Sequence, residues 1–363
     1  MQGECVLSGA QGTTTVLRQD PGQLLTVRDV RIETSEAKTF ELDVPEHLRQ
    51  LYRGRAGQFL RITIPGDDVS LSRSYSLSNS PELHEPLRFT VKRVAGGMVS
   101  ERLVGDFERG RALHVGPPAG AFVLKQKDCA EKLPLLLIAG GSGITPIFSL
   151  LKTVLHTTQR PVALLYSNRN RASAIFAAAI DELARAFPAR LQVRHHFSDE
   201  EGFLGETDFR AFASSFASGH VYVCGPNPMM ELVERMLGDG ELSQRYDLVC
   251  ERFISPTGNA SQAPRFADPA RVGASNIVLR LDGNEHACTW TGTGTLLDAA
   301  LAAGIDAPFS CREGHCGACK ARLVEGEVER GLELAISKRD RERGHILACC
   351  AVPRSRCIVI EYD

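Results

Sequence analysis

Four cysteines near the end of the chain have the spacing of an iron–sulfur site. Cys311, Cys316 and Cys319 read C-x4-C-x2-C, and Cys349 follows after a further 29 residues. This is the plant-type ligand spacing of a [2Fe–2S] cluster, which needs four converging thiolates. Such a cluster carries one electron at a time, so the rest of the chain must supply or receive electrons.

Glycines inside the cysteine loop support this interpretation. Gly314 and Gly317 allow backbone N–H groups to turn toward sulfur, where a Cβ would obstruct the approach. The alternatives are a structural zinc site and disulfides. Structural zinc usually shows two paired C-x2-C knuckles, and only one occurs here. Disulfides suit an exported chain, and the N-terminal sequence lacks the basic and apolar regions of a secretory signal.

The composition indicates an ordinary globular protein with two or three domains in its 363 residues. Hydrophobic residues make up 43% and charged residues 24%, and the net charge is −2. This balance gives no electrostatic reason to expect a nucleic acid or an anionic membrane as partner. The longest apolar run, LPLLLIAG, is too short to span a bilayer. Eleven cysteines without an export signal predict a reducing cytoplasmic location.

The residue pattern changes along the chain and predicts three domains. Short alternating runs separated by Gly and Pro predict an antiparallel β-barrel, and the next region repeats βα units typical of a doubly wound parallel sheet. A Pro/Ala/Ser-rich linker leads to a small α+β, β-grasp-like unit around the cysteine loop, and we expect the linker to let this unit move. The predicted ranges are a loose tail 1–22, the barrel 23–127, the α/β domain 130–253, the linker 254–275 and the last unit 276–363.

Two motifs in the barrel have side chains that suit an aromatic ligand carrying phosphate. In the run Arg73-Ser74-Tyr75-Ser76, Tyr offers an aromatic face to a ring and Arg offers paired donors to a phosphate. The run from Gly97 to Ser100 could present backbone N–H groups to a pyrophosphate at a helix N-terminus. Taken alone, without the first motif nearby, this run is better explained as a plain turn from hairpin to helix.

Two motifs in the α/β domain have the chemistry of a dinucleotide site. Gly140, Gly141 and Gly143 form a Gly-rich turn, GGSGITP, directly after a buried strand, and Thr145 and Pro146 complete it. Such a turn at the carboxyl edge of a parallel sheet is where dinucleotides bind. The second motif ends a later strand and consists of Cys224, Gly225 and Pro226.

These motifs together resemble the ferredoxin–NADP reductase superfamily, and they occur in the family order. The resemblance covers about residues 23–363 and implies FAD, NAD(P)H and [2Fe–2S] as cofactors. It implies that Ser76 acts at the flavin N5 and that Cys224 places a thiol beside the nicotinamide, so these two are the predicted catalytic residues. The other predicted cofactor-binding residues are Arg73, Ser74, Tyr75, Gly97, Ser100, Gly140, Gly141, Gly143, Thr145, Pro146, Asn168, Arg169, Gly225, Pro226 and Phe253.

Two of these assignments have equally good alternatives. Asn168 and Arg169, with Arg171 nearby, occupy the position that faces the adenosine ribose in the family, but they could equally be solvated loop residues. No acidic residue stands at the strand end, which weakly favours NADPH over NADH. Phe253, in the run Glu251-Arg252-Phe253, could lie near the flavin or pack between domains.

The domain order is similar to reductase components of multicomponent oxygenases, of the phenylacetyl-CoA epoxidase and 3-ketosteroid 9α-hydroxylase kind. The resemblance implies electron transfer from NAD(P)H through FAD and the cluster to a partner oxygenase or hydroxylase. One alternative is a reductase for another acceptor, such as a hybrid-cluster protein. A second is a non-enzymatic module whose cysteine loop holds zinc. No acid–base dyad is visible in the sequence, as expected where cofactors supply the chemistry.

Overall fold

The structure is a computed structural model, and it describes most of the chain outside the N-terminal region and the predicted linker. We describe residues 22–65, 71–124, 133–214, 216, 218–238, 245–253, 274–281, 283–309, 312, 314, 317–331, 333, 335, 336 and 338–362. All but the last residue of the predicted tail, nearly all of the linker, Cys311 and Cys316 lie outside the described residues.

The first domain is built on a six-stranded antiparallel sheet in the order β4-β3-β6-β1-β2-β5. Its alternating sequence pattern puts every second side chain into the core, as in β3, where Leu60, Ile62 and Ile64 are fully buried. The strands are β1 (Gln23–Thr34), β2 (Ala37–Asp43), β3 (Phe59–Ile64), β4 (Leu71–Ser76), β5 (Arg88–Lys92) and β6 (Ala112–Val115), with helix α1 (Met98–Asp106) before β6.

The two edge strands of this sheet meet and close it into the predicted barrel. Directly after β4, Leu77 forms a bridge with Phe89 of β5, and the Ser78 N–H donates to the Arg88 carbonyl at 3.0 Å. Closure removes the free sheet edges. The core includes a stacked pair, Phe40 and Phe89, with ring centroids 5.1 Å apart. The segment that follows the predicted flavin motif is therefore fixed to the barrel wall.

The second domain is a five-stranded parallel sheet in the order β11-β10-β7-β8-β9. Strand β7 is central, and the chain adds strands first on one side of it and then on the other. The change of side creates a switch point between β7 and β10, where ligands bind in such sheets. The strands are β7 (Leu135–Gly140), β8 (Val162–Asn168), β9 (Leu191–Phe197), β10 (Gly219–Cys224) and β11 (Tyr246–Glu251). The helices are α2 (Ile144–Thr157), α3 (Ala177–Ala186), α4 (Ser198–Glu201), α5 (Glu206–Ser214) and α6 (Asn227–Gly238).

The third domain is a mixed five-stranded sheet, β13-β12-β18-β14-β16, with a two-stranded sheet β15-β17 beside it. Helix α7 begins at a capping box in which Thr295 and Asp298 exchange hydrogen bonds. The strands are β12 (Ser275–Leu281), β13 (Asn284–Trp290), β14 (Lys320–Glu325), β15 (Val328–Arg330), β16 (His345–Leu347), β17 (Ala351–Pro353) and β18 (Cys357–Glu361). The helices are α7 (Leu296–Ala302) and α8 (Lys338–Glu342).

The observed architecture confirms the predicted fold class, with an antiparallel barrel, a parallel α/β domain and a small α+β domain in that order. Among the described residues, no helix has both the length and the apolar character needed to cross a bilayer.

Candidate functional site

The predicted flavin motif occupies β4, on the barrel wall. Ser76 pairs with Phe59 of β3, and Tyr75 pairs with Leu60. Ser76 is only 2% exposed, and its Oγ has no hydrogen-bond partner among the described residues. A buried hydroxyl without a partner is costly in a folded protein unless a ligand satisfies it. This orphaned oxygen fits a flavin whose polar ring edge reaches Ser76.

The neighbouring side chains of this motif suit an aromatic and phosphate ligand. Burial raises the pKa of the Tyr75 hydroxyl, and the charge of Arg73 partly opposes that rise. The ring of Tyr75 lies 5.8 Å from that of Phe89, which supports it from the core side. The Arg73 Nη1 donates to the Ser72 carbonyl at 2.7 Å. Ser74, the remaining motif residue, pairs with Arg61.

The Gly97–Ser100 turn begins helix α1, which packs against β4 and β5. A Cβ on Gly97 would lie 2.5 Å from the Ser100 Oγ, so a glycine is required for this close turn. The Ser100 hydroxyl is already used locally, because it accepts from the Val94 N–H and donates to the Gly97 carbonyl. A pyrophosphate at this turn would therefore meet backbone N–H groups rather than a free serine hydroxyl.

The Gly-rich turn and the Cys-Gly-Pro turn lie against each other at the switch point of the parallel sheet. A Cβ on Gly143 would lie 2.1 Å from the Cys224 carbonyl oxygen. A Cβ on Gly140 would lie 2.6 Å from the Pro226 ring, and one on Gly225 would lie 3.0 Å from the Gly140 nitrogen. The two motifs thus contact each other backbone to backbone, which only glycine permits.

The outer side of the Gly-rich turn is open. Gly141 has a φ of +52°, and a Cβ there would meet nothing within 4 Å. Helix α2 begins immediately afterwards without a side-chain cap, so its first N–H groups face the turn. Thr145 Oγ1 donates to the Ser142 carbonyl at 3.1 Å, and Pro146 occupies the first turn, where a missing N–H costs nothing. These features fit an anionic dinucleotide group.

Cys224 has no exposed surface and lies in the core next to the end of β11. Burial raises the pKa of its thiol well above the usual value, and the nearby Glu251 and Cys250 add to the rise. Glu251 pairs with Cys224 across the strands and is itself buried. The thiol is therefore neutral, which suits a packing contact with a nicotinamide rather than a nucleophile. Its contact with the nicotinamide stays a prediction.

The predicted ribose-binding residues differ in how available their side chains are to a ligand. Asn168 is buried at the end of β8, and Arg169 follows it at the surface. Arg171 forms an ion pair with Asp181. Within the described part of the chain, the Arg169 guanidinium has no acidic partner, which leaves it the better candidate for a ligand phosphate. Phe253 is 39% exposed after β11.

The described part of the cysteine site brings Cys319 and Cys349 together. Both side chains are buried, and the Ala348 N–H donates to the Cys319 carbonyl at 3.1 Å. Gly314 and Gly317 have left-handed φ values of +79° and +71°, as a loop that turns its N–H groups inward requires. Two buried thiols beside such a loop fit a cluster ligand set. Among the residues we describe, no group of three or more metal-ligating side chains gathers, and Cys311 and Cys316 fall outside those residues.

A hydrophobic contact joins the cysteine loop to the flavin motif. The Phe59 ring is 3% exposed and packs against Ala119 and against Ala318, the residue before Cys319. Phe59 is also the strand partner of Ser76. One aromatic side chain thus lies between the two predicted cofactor sites.

A buried polar seam joins helix α2 to the loop after the flavin motif, and sequence reasoning missed it. Ser80 and Thr153 hydroxyls are 2.7 Å apart, and the Ser149 hydroxyl donates to the Asn79 carbonyl. Lys152 pairs with Glu85, and Lys152 nevertheless has a lowered pKa because burial outweighs that pairing. The available signal was Ser149 and Thr153, which are four residues apart and therefore share one face of the helix.

Comparisons with known proteins agree with this geometry. Three family models match the chain in order: an oxidoreductase FAD-binding domain at residues 24–124, an oxidoreductase NAD-binding domain at 137–235 and a 2Fe-2S iron–sulfur cluster binding domain at 279–354. The ferredoxin reductase component of the 3-ketosteroid-9-alpha-monooxygenase of Rhodococcus rhodochrous is 37% identical over 93% of this chain and 96% of that protein. The chain belongs to the ferredoxin–NADP reductase superfamily. This reductase is an oxidoreductase that uses FAD, NAD(P)H and a [2Fe–2S] cluster.

Further relatives extend the comparison. A component of the 1,2-phenylacetyl-CoA epoxidase from Escherichia coli K12 is 29% identical to the reductase over 93% of this chain and 97% of its own. Phthalate dioxygenase reductase shares the fold, with a TM-score of 0.57 and 24% identity over 96% of this chain and the whole of that one. Full-length CYP116B46 from Tepidiphilus thermophilus matches with a TM-score of 0.74 and 27% identity, covering 98% of the reductase and 44% of the larger chain.

Proposed function

We propose that this protein is the reductase component of a multicomponent oxygenase. It takes electrons from NAD(P)H and passes them through FAD and the [2Fe–2S] cluster to a separate terminal oxygenase or hydroxylase with iron at its active site. The observation that carries the proposal is the position of Phe59, between Ser76 of the flavin motif and Ala318 of the cysteine loop. The names of the relatives as monooxygenase and epoxidase components support the choice of partner.

The proposed residue roles follow from the geometry described above. Ser76 donates a hydrogen bond to the flavin ring from a dry site, and Tyr75 covers the ring or its side chain. Gly140, Gly141 and Gly143 present the N-terminus of α2 to the dinucleotide phosphates. The proposed ligands of the cluster are Cys311, Cys316, Cys319 and Cys349.

The protein's own contribution is to position groups and exclude water. When bound, FAD accepts a hydride and the iron–sulfur cluster carries single electrons. The polar seam between Ser80 and Thr153 holds α2 against the barrel, so the Gly-rich turn stays in register with the flavin motif. We also propose the domain limits 23–127, 130–253 and 276–363, with 254–275 as the linker. Arg169 is the proposed contact for a 2′-phosphate of NADPH.

One reconstitution experiment tests the proposal. The protein, purified without air, is analysed for FAD, iron and acid-labile sulfide. It is then mixed with NADH or NADPH, oxygen and a purified candidate terminal oxygenase, and hydroxylated product is measured. We expect product to form only when both proteins and the nucleotide are present. If the protein reduced a hybrid-cluster protein but supported turnover of no oxygenase, the result would favour the alternative function, a reductase for a non-oxygenase acceptor. A colourless protein containing zinc would reject the redox function altogether.

The Phe59 contact leads to a separate prediction. Truncating a buried anchor side chain at the centre of an interface can cost about 2 kcal/mol or more, and about 1.4 kcal/mol is tenfold in an equilibrium constant. Phe59→Ala should therefore lower the docked fraction of the ferredoxin domain, by about tenfold in the docking equilibrium. In stopped-flow absorbance we expect NAD(P)H to reduce the flavin at the parent rate while cluster reduction slows.

The matched control for this prediction is Phe203→Ala, which removes an aromatic ring that is 93% exposed. This variant should change neither the rate of flavin reduction nor the rate of cluster reduction. Equal slowing of both phases in Phe59→Ala would instead point to general damage of the barrel and contradict a docking role.

A further inference from the structure

Cys350 places a second thiol beside the proposed cluster ligand Cys349. The two residues end a short 3-10 helix, Ala348–Cys350, and their Sγ atoms are 3.6 Å apart. Both side chains are nearly fully buried, at 6% exposed for Cys349 and 4% for Cys350. At this separation the two sulfurs are within hydrogen-bonding distance of each other.

The surroundings of the pair are mostly apolar, and the buried Tyr362 hydroxyl lies close enough to Cys349 to interact with it electrostatically. Cys349 and Cys350 belong to the hydrophobic core of the third domain, between Leu347, Ala348 and Ala351, and helix α7 packs on their turn. Water does not compete for the sulfur atoms in such a place, and a weak donor gains strength at low dielectric. An S–H group is a donor, whereas a thiolate bound to iron can only accept. When Cys349 binds iron, Cys350 is therefore the donor of the pair.

We propose that the Cys350 thiol donates a hydrogen bond to the Cys349 sulfur and thereby raises the reduction potential of the cluster. The inference depends on the proposed function, because it requires Cys349 to be a ligand. Reduction adds one negative charge that is shared with the ligand sulfurs, so a hydrogen bond to a sulfur stabilises the reduced form more than the oxidised one. Cys350 is thus a positioning residue that acts through Cys349. It lies outside the C-x4-C-x2-C spacing and needs no iron of its own.

The experiment is a redox titration of the purified holoprotein followed by electron paramagnetic resonance. Cys350→Ala removes the donor, and we expect the equilibrium constant for cluster reduction to fall about threefold, or about 30 mV at 59 mV per tenfold. Cys350→Ser keeps a donor of similar size, and we expect its potential to lie closer to that of the parent. The FAD potential serves as an internal reference and should not move.

A matched control is Cys357→Ala, which removes another thiol of the same domain. Cys357 is the first residue of strand β18. Glu361, at the other end of this strand, pairs with Arg322, which follows closely after Cys319 in the sequence. Four residues correspond to about 13 Å along a strand, so Cys357 lies away from the cysteine site. The control should keep the parent potential. A shift equal to that of Cys350→Ala would mean that any lost thiol has this effect, and would overturn the proposal.

Three further results would also overturn it. The first is a Cys350→Ala variant with the parent potential, and the second is an equal shift in the Ala and Ser variants, which would exclude the donor as the cause. The third is loss of iron from Cys350→Ala with retention in Cys349→Ala, which would make Cys350 the ligand. A parent protein with no cluster signal would instead reject the proposed function, whereas a normal signal with an unshifted potential rejects only this inference.

Discussion

Cys319→Ala is expected to abolish the iron–sulfur signal and to leave the flavin in place. Cys319 is 2% exposed, so its thiol is not available for a role at the surface. Its carbonyl accepts a hydrogen bond from the Ala348 N–H, in the turn that carries Cys349. Substituting residues that only hydrogen-bond to a metal ligand already lowers metal affinity by about 10–100-fold. Removing a ligand itself should therefore lower the affinity for the cluster by on the order of 100-fold or more. Because the predicted flavin and nucleotide residues lie in the first two domains, NAD(P)H should still reduce a two-electron dye.

The measurements are iron, acid-labile sulfide and FAD content, together with rates toward a dye and toward a one-electron protein acceptor. We expect iron and sulfide to disappear, the dye rate to persist and the protein acceptor rate to fall by about 100-fold or more. Cys288→Ala is the control, because Cys288 lies in β13 of the same domain and is not part of the predicted ligand spacing. Full iron and sulfide in Cys319→Ala would show that this cysteine is not a ligand.

Gly143→Ala is expected to block reduction by NAD(P)H while leaving the cofactors bound. The added Cβ would lie 2.1 Å from the Cys224 carbonyl oxygen and 2.4 Å from its carbon, so one of the two turns must move. The backbone φ of Gly143 is −61°, which alanine adopts freely, and the cost therefore comes from the collision alone. Overpacking of this kind costs about 1–3 kcal/mol, and a shift of about 1 Å in a positioned group can cost about 100-fold in rate.

Stopped-flow reduction of the flavin by NADPH and by NADH measures the effect directly. We expect the rate to fall by about 100-fold with both nucleotides, while dithionite still reduces flavin and cluster. The control is Gly105→Ala in helix α1, where an added Cβ meets nothing within 4 Å and should stabilise the helix by up to about 1 kcal/mol. A parent-like NADPH rate in Gly143→Ala would contradict the close approach of the two turns.

The comparison of these two sites shows why some features could be predicted and others could not. The cysteine spacing and the Gly-rich turn could be predicted because each is a local pattern in which a few neighbouring residues bind one ligand. The order of these motifs along the chain then identified the family and the cofactors. Periodicity predicted the fold class for a similar reason, because alternation and continuous apolar runs report directly on which faces of a strand are buried. Residue roles within the motifs stay predictions.

Contacts between distant segments could not be predicted in the same way. Nothing near Phe59 in the sequence indicates that its ring contacts Ala318, some 260 residues later. Nor does the sequence pair Ser80 with Thr153, because a serine or threonine is ordinary on any surface and becomes informative only when it is buried.

The sequence by itself determined the chemistry of this protein: which cofactors it uses and in what order the domains that hold them follow one another. Ligand type and spacing set that chemistry within short segments, so no tertiary information was needed. Only the tertiary structure decided the Phe59 contact between the flavin motif and the cysteine loop, the close approach of Gly143 to the Cys224 carbonyl and the 3.6 Å separation of the Cys349 and Cys350 sulfurs. Those features depend on distances between atoms that the chain brings together by packing, and packing is a property of the whole fold.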